Sequence, residues 1–303
     1  MDHATDGGCK ESGREPGALI EYVRAPFVGP EPVVRPRGVL FDFDGTLSLV
    51  REGWTELMVS LAVEELAKLH TNETVEELTS LCHEFVTRLT GKPTIYQMHQ
   101  LAEEVRRRKG TPSDPLVYQE RYHQRLIQRT GQRRESLKAG RDLDRYLVPG
   151  SRELLAYLRD RDVTLYLASG TNETDVREEL ELLRIDEFFG PRVWGARPDR
   201  PDFTKGWVVR GPILQDDRIA GRELLGFGDG VVESQELCAV QGVAVAVASD
   251  ESCLVHLTDE ERRSSSPTFQ RVDAWKRERL IAAGAHVVVP DYRGIAPLLA
   301  KIF

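Results

Sequence analysis

Residues 38–48, Gly-Val-Leu-Phe-Asp-Phe-Asp-Gly-Thr-Leu-Ser, leave this chain few ways to fold. Val39, Leu40, Phe41 and Phe43 favour a buried strand, and the run stops at Gly45-Thr46, a turn signal with two aspartates at the boundary. Residues two apart on a strand share a face, so Asp42 and Asp44 are expected to point one way and Phe41 and Phe43 the other. A carboxylate pair is costly to bury uncompensated. It belongs at an open strand end where a cation or substrate balances the charge. Asp and Gly are also ordinary turn residues, so the pair read alone fits a plain strand-to-turn boundary as well.

Beyond Ser48 the hydrophobic period changes from strand to helix. In 54–69, Trp54, Leu57, Met58, Leu61, Ala62, Leu66 and Leu69 recur at helical spacing, as do Val75, Leu78, Leu81, Cys82, Phe85, Val86 and Leu89 in 75–89. Ile95, Met98, Leu101, Ala102 and Val105 mark a third helix from Thr94, and Asp114-Pro115 starts a fourth with an N-cap followed by proline in the first turn. Trp54 lies on an apolar helix face and is expected in a core. Residues 49–147 thus form an all-helical insert.

From Val148 strands and helices alternate. Pro149-Gly150-Ser151 opens a helix, 163–168 is a strand and 173–185 a helix; strands follow near 192–195 and at 224–228, 243–248 and 286–289, with helices through Leu237 and around 272–283. Such alternation implies a parallel sheet covered on both faces. The expected fold class is therefore α/β, a Rossmann-like doubly wound parallel sheet built from 36–48 and 148–303 with the helical domain 49–147 inserted. In these sheets ligands bind at the carboxyl ends of the strands. Residues 1–17 are polar and without a period, and 28–37 carry three prolines, so 1–35 reads as a disordered tail and an extended lead-in. The segment 250–271, with Ser264-Ser265-Ser266-Pro267, reads as loop-like at its centre.

Bulk properties remove several function classes. A chain of 303 residues, 40% of them hydrophobic, can bury a sizeable core, and a net charge of −8 argues against nucleic acid or an anionic membrane as the main partner. The four cysteines lack paired spacing, which indicates neither a disulfide framework nor a zinc site, and His83 and His99 fall within helical patterns. No apolar run has the length of a membrane span, and the N-terminus lacks the apolar stretch of a signal peptide, so the expected location is the cytoplasm.

Three further signals fall at strand ends. The strand at 163–168 runs into Ser169-Gly170-Thr171, where a hydroxyl and the backbone N–H groups of a helix start would suit a phosphoryl oxygen; simple helix capping is the alternative. The strand at 224–228 ends in Gly228-Asp229-Gly230-Val231-Val232-Glu233, which puts Asp229 at the strand end and Glu233 on the same side of the following helix. That acidic pair suits a hard, oxygen-seeking ion such as magnesium, although a glycine turn with an acidic helix start has the same pattern. Lys205 opens a helix after Asp202-Phe203-Thr204, where the helix dipole disfavours a cation unless an anion is bound.

Taken together, Phe41-Asp42-Phe43-Asp44-Gly45-Thr46-Leu47, Ser169-Gly170, Lys205 and Gly228-Asp229-Gly230-x-x-Glu233 resemble the four ordered motifs of the haloacid dehalogenase superfamily, over roughly residues 38–290. The resemblance implies a nucleophile at Asp42, a general acid/base at Asp44, a phosphate ligand at Ser169 with Gly170 and Thr46 beside it, and a stabiliser of nucleophile and phosphate at Lys205. It implies magnesium held by Asp42, Asp44, Asp229 and Glu233, the last standing where many members carry Asp. It also implies a helical cap after the first motif, matching 49–147.

The chemistry is coherent. A carboxylate can attack phosphorus to give an aspartyl-phosphate if a cation and Lys205 offset the repulsion, and a neighbouring acid that resists ionising can protonate the leaving alcohol. The resemblance also implies phosphoryl transfer over carbon–halogen cleavage, since the superfamily's dehalogenases have no acid at the position of Asp44. Substrate choice is expected from the cap, with Arg51 in the hinge and Lys92 in the Thr90-Gly91-Lys92-Pro93-Thr94 turn as candidate contacts. The expected function is a magnesium-dependent phosphatase acting on a small phosphorylated metabolite, similar to the phosphoglycolate-phosphatase and β-phosphoglucomutase-like branch. The alternatives are a sugar phosphomutase and a non-catalytic phosphate-binding or scaffolding module.

Overall fold

The computed structural model describes residues 20–28, 33–200, 202–263 and 274–303. The segment 1–17, residues 29–32 of the lead-in and residues 264–271, with the Ser-Ser-Ser-Pro run, lie outside them. The chain begins with β1 (Glu21–Tyr22) and β2 (Gly38–Phe41), followed by four helices, α1 (Trp54–Ala67), α2 (Val75–Arg88), α3 (Ile95–Arg107) and α4 (Pro115–Lys138). Next come α5 (Ser151–Arg159), β3 (Thr164–Asn172), α6 (Glu173–Leu183), β4 (Val193–Ala196) and α7 (Lys205–Val208), which runs on into a π-helical stretch, Val209–Asp216. The remainder is β5 (Leu224–Gly228), α8 (Val231–Ala239), β6 (Val243–Val247), α9 (Glu251–Leu254), α10 (Asp259–Arg263), α11 (Ala274–Ala282), β7 (Val287–Val289) and α12 (Ala296–Ile302).

The strands form one sheet in the order β1-β7-β6-β5-β2-β3-β4. β2 lies in its interior, parallel to β3 on one side and β5 on the other, while β1 pairs antiparallel with β7 at the edge. From β2 the chain builds outward through β3 and β4, then crosses to build β5, β6 and β7 on the opposite side. That reversal opens a crevice at the carboxyl ends beside β2. Side-chain alternation divides the core accordingly: Val39 and Phe41 join Leu165, Leu167, Leu225 and Phe227 in one cluster, whereas Leu40 joins Tyr166, Val208, Ile213 and Leu237 in another. Phe41 and Phe227 stack with ring centroids 5.0 Å apart.

The four helices after β2 bury a separate cluster, with Met58, Leu61, Cys82, Phe85, Met98, Leu101, Tyr118 and Leu126 among its members. Local signals set their starts. Thr74 and Glu77 form a capping box on α2, and the Asp114 side chain accepts from Leu116 N–H at the head of α4. At the other end of α4, Leu137 belongs to the main sheet cluster, so this one helix is anchored in both cores.

One expectation needs correction. β3 does not stop at Ala168: it continues to Asn172, with Asn172 paired to Ala196 beyond an irregularity in register, and the Asn172 side chain caps α6. Ser169 therefore lies within an irregular strand end and not at a helix start. In the segment 250–271, residues 251–254 and 259–263 are helical, and its serine-rich centre lies outside the described residues. Asp250 caps α9 by accepting from Cys253 N–H, and Thr258 and Glu261 exchange the reciprocal bonds of a capping box at α10.

Candidate active site

The site forms where β2 ends. Asp42 N–H donates to the Phe227 carbonyl at 2.9 Å, extending the strand pairing by one residue. The chain then turns, with Phe43 N–H donating to Asp42 Oδ1 at 2.7 Å and both Leu47 and Ser48 N–H donating to the Phe43 carbonyl. Gly45 is needed in this turn. Its φ is +70°, and a Cβ there would lie 2.4 Å from Asp229 Oδ2 and 2.8 Å from Glu251 Oε1. The turn after β2 is thus pressed against the acids that follow β5 and β6.

Asp42 and Lys205 are both buried, with Lys205 Nζ 2.7 Å from Asp42 Oδ1. Lys205 is also ion-paired to Glu233 Oε1, while Glu233 Oε2 is buried without a hydrogen-bond partner among the described residues. Burial pushes the Asp42 carboxyl well above its usual range; Lys205 pulls it down, and Glu233 and Asp229 push it up further. Burial alone would lower the Lys205 ammonium, but Asp42 and Glu233 outweigh it and hold its pKa above the ordinary value. The lysine that a helix N-terminus disfavours is therefore stabilised by two carboxylates of the chain itself.

Asp44 takes different partners. Thr171 Oγ1 donates to its Oδ2 at 2.8 Å, and Arg51 Nε lies 3.5 Å from its Oδ1. Arg51, expected to contact substrate, is buried in a two-pronged pair with Glu179, Nε to Oε2 at 3.2 Å and Nη2 to Oε1 at 3.0 Å. Arg134 from α4 donates to the same carboxylate at 2.9 Å. Arg51 thus faces Asp44 from a network that joins the hinge to α4 and α6.

At the end of β5, Asp229 Oδ2 accepts from Lys276 Nζ at 2.7 Å, and the same ammonium lies 3.5 Å from Glu251 Oε1. Burial raises the Glu251 carboxyl to about 7; Lys276 opposes this, and Asp229 and Asp44 add to it. Sequence reasoning missed both residues. Glu251 follows β6 at the same carboxyl edge that marked the other acids, whereas Lys276 carries no signal beyond its place on a helix.

The cap closes this edge from above. A Cβ on Gly170 would lie 2.7 Å from the Lys92 carbonyl, and one on Gly91 3.2 Å from Val232. A cavity of about 80 Å³ remains, lined by Asp42, Asp44, Arg51, Lys92, Ser169, Gly170, Lys205 and Asp229 among others. Ser169 Oγ accepts from Thr171 N–H at 3.1 Å. A larger chamber of about 250 Å³ adjoins it across Asp229, lined by Trp54, His83, Trp275 and Arg279 among others. Trp54, expected in a core, packs on the helical cluster but lines both spaces. Thr46 is fully buried beneath the turn, its carbonyl accepting from Tyr292 OH at 2.8 Å, and is not part of the cavity wall.

Among the described residues no group of three or more His, Cys, Asp or Glu is arranged as a metal cage. Magnesium needs less: one or two carboxylates, completed by phosphate oxygens and water. Asp42 and Asp229 fit that requirement, because each raises the charge cost at this edge and the Gly45 turn brings the two strand ends into contact. All four acids of the expected set have partners within the chain: Asp42 and Glu233 share Lys205, Asp229 meets Lys276, and Asp44 meets Thr171 and Arg51. No helix among the described residues is long and apolar enough to cross a membrane.

Residues 36–202 match the family model described as haloacid dehalogenase-like hydrolase. Solved structures with the same fold include a predicted phosphatase from Clostridium acetobutylicum, 18% identical, covering 88% of this chain and 99% of that one with a TM-score of 0.55. A β-phosphoglucomutase from Clostridium difficile is 12% identical, with 88% and 97% covered and a TM-score of 0.55. A predicted phosphoglycolate phosphatase from Haemophilus somnus is also 12% identical, with 87% and 98% covered and a TM-score of 0.54. At these identities the likeness concerns the fold. No curated protein matches the chain.

Proposed function

Because the chain belongs to the haloacid dehalogenase-like hydrolase family, we propose that it is a magnesium-dependent phosphatase that cleaves a small phosphorylated metabolite through an aspartyl-phosphate on Asp42. The observation that carries this reading is the buried Asp42–Lys205 pair at 2.7 Å, with Asp44 two residues on and held separately by Thr171. Asp42 and Asp229 would hold the ion. Bound there, magnesium supplies the positive charge that lets an anionic carboxylate meet an anionic phosphoryl group.

The chain's own residues do the rest. Lys205 opposes the upward push of burial on the Asp42 carboxyl and directs it, and its ammonium partly neutralises the phosphoryl oxygens. Asp42 attacks phosphorus as the bond to the leaving oxygen breaks, and Asp44 gives that oxygen its proton. Asp44, now a base, takes a proton from water as the water oxygen attacks the same phosphorus; the Asp42–phosphorus bond breaks and inorganic phosphate leaves. Ser169 and the cap turn at Lys92 border the phosphoryl position, and the close approach of Gly170 to that turn helps to exclude bulk water.

The test is turnover of an aryl phosphate and a panel of phosphorylated metabolites by the purified chain with magnesium. Asp42→Asn should lower turnover by about 10³-fold or more while leaving the circular dichroism spectrum unchanged. Unaltered turnover would refute the mechanism, and a requirement for a sugar bisphosphate would replace the phosphatase with a mutase.

A further inference from the structure

We infer that Lys276 is a built-in counter-cation of the metal site, competing with the divalent ion for Asp229 and moving to Glu251 when the ion binds. The inference rests on the proposed assignment of the ion to Asp42 and Asp229.

Two lysines divide the acids of this edge between them. Lys205 is shared by Asp42 and Glu233, and Lys276 by Asp229 and Glu251. Each pair joins one acid that would hold the ion to a glutamate that need not. The Lys276 ammonium makes a charge-assisted bond to Asp229 Oδ2 at 2.7 Å, and its side chain is only 17% exposed, so solvent screens it weakly. A divalent cation drawing on the same carboxylate meets both competition for its electron pairs and repulsion from the neighbouring positive charge.

Glu251 provides the other half of the device. Its Oε1 is already within 3.5 Å of Lys276 Nζ and faces the Gly45 turn that also touches Asp229. Rotation about the terminal bonds of one lysine transfers the ammonium from one acid to the other without backbone movement. Such an arrangement keeps buried carboxylates neutralised in the metal-free protein and weakens metal binding in return.

The test is Mn²⁺ binding to the full chain, followed by calorimetry and by the electron paramagnetic resonance signal of free Mn²⁺. Lys276→Met should bind Mn²⁺ about tenfold tighter or better than wild type, since a charge-assisted bond no longer has to be given up. Glu251→Gln should bind several-fold more weakly, because the ammonium then stays on Asp229. Adding Glu251→Gln to Lys276→Met should change little, since the glutamate acts through the lysine. Equal or weaker binding by Lys276→Met would overturn the inference and make the lysine an orienting group for Asp229. If Lys276→Met fails to fold, unchanged binding by Glu251→Gln overturns it equally. The metal assignment is checked separately, by binding to wild type and its loss in Asp229→Asn; a wild type that binds no Mn²⁺ refutes both proposals.

Discussion

Replacing Lys205 with Met keeps most of the side-chain volume and deletes the charge. What remains is two buried carboxylates, Asp42 at 5% and Glu233 at 3% exposure, with one Glu233 oxygen already lacking a partner among the described residues. At 2.7 Å and an effective dielectric constant of about 20, the lost attraction to Asp42 alone is about 6 kcal/mol. Part of this was spent on desolvating the ammonium, so the net loss should be about 3–5 kcal/mol, as for other buried pairs broken by removing one partner. Against a typical total of about 5–15 kcal/mol this is a large fraction. The effect must depend on pH. Without Lys205 the Asp42 carboxyl, which burial already raises, loses the cation that pulls it down, so stability is retained below the unfolded value near 4 and lost as pH rises through the folded value. Urea unfolding of wild type and variant at pH 8 and pH 5 measures this: the deficit should be large at pH 8 and shrink at pH 5, and Glu233→Gln should restore part of it. A deficit under about 1 kcal/mol at pH 8, or one independent of pH, would show that Lys205 does not balance these acids.

Chelation with EDTA should abolish aryl phosphate turnover and added magnesium should restore it; full activity in the chelator would remove the ion from the mechanism. Gly170→Ala places a methyl 2.7 Å from the Lys92 carbonyl, which must push the cap turn off the site and lower kcat/KM by about 10- to 100-fold; unchanged kinetics would show that this contact does not position the cap. His286 Nδ1 accepts from Ala244 N–H at 3.1 Å, and burial together with Arg24 holds its pKa below the ordinary value. Stability tied to this group is present above the unfolded pKa near 6.5 and lost as pH falls through the folded value, so the thermal midpoint should drop below pH 6.5 more steeply in wild type than in His286→Gln; parallel curves would contradict this.

The strands and helices that carry a hydrophobic period were legible from residues alone. β5 falls on 224–228 as read, and α4 starts at its Asp114-Pro115 signal. Elements without a period were not: β1 has two residues and takes its place by pairing with β7, and α12 was not read. The short helices α9 and α10 carry cap signals at Asp250 and Thr258 but no hydrophobic period long enough to mark them. In the site, the argument from strand alternation brought Asp42 and Asp44 together, but β2 ends at Phe41 and the turn sends them to different partners, Lys205 and Thr171. Glu179 and Lys276 were out of reach because their roles depend on helices α6 and α11 meeting residues 128 and 47 positions away in the chain.

The long helix α4 has a mechanical meaning. With Leu126 seated among the cap helices and Leu137 under the sheet, it acts as a stiff beam built into both halves of the molecule. Arg133 on that beam grips the incoming strand of chain at the Val50 and Glu52 carbonyls, each at 2.9 Å. The two crossings between the halves are thus lashed together.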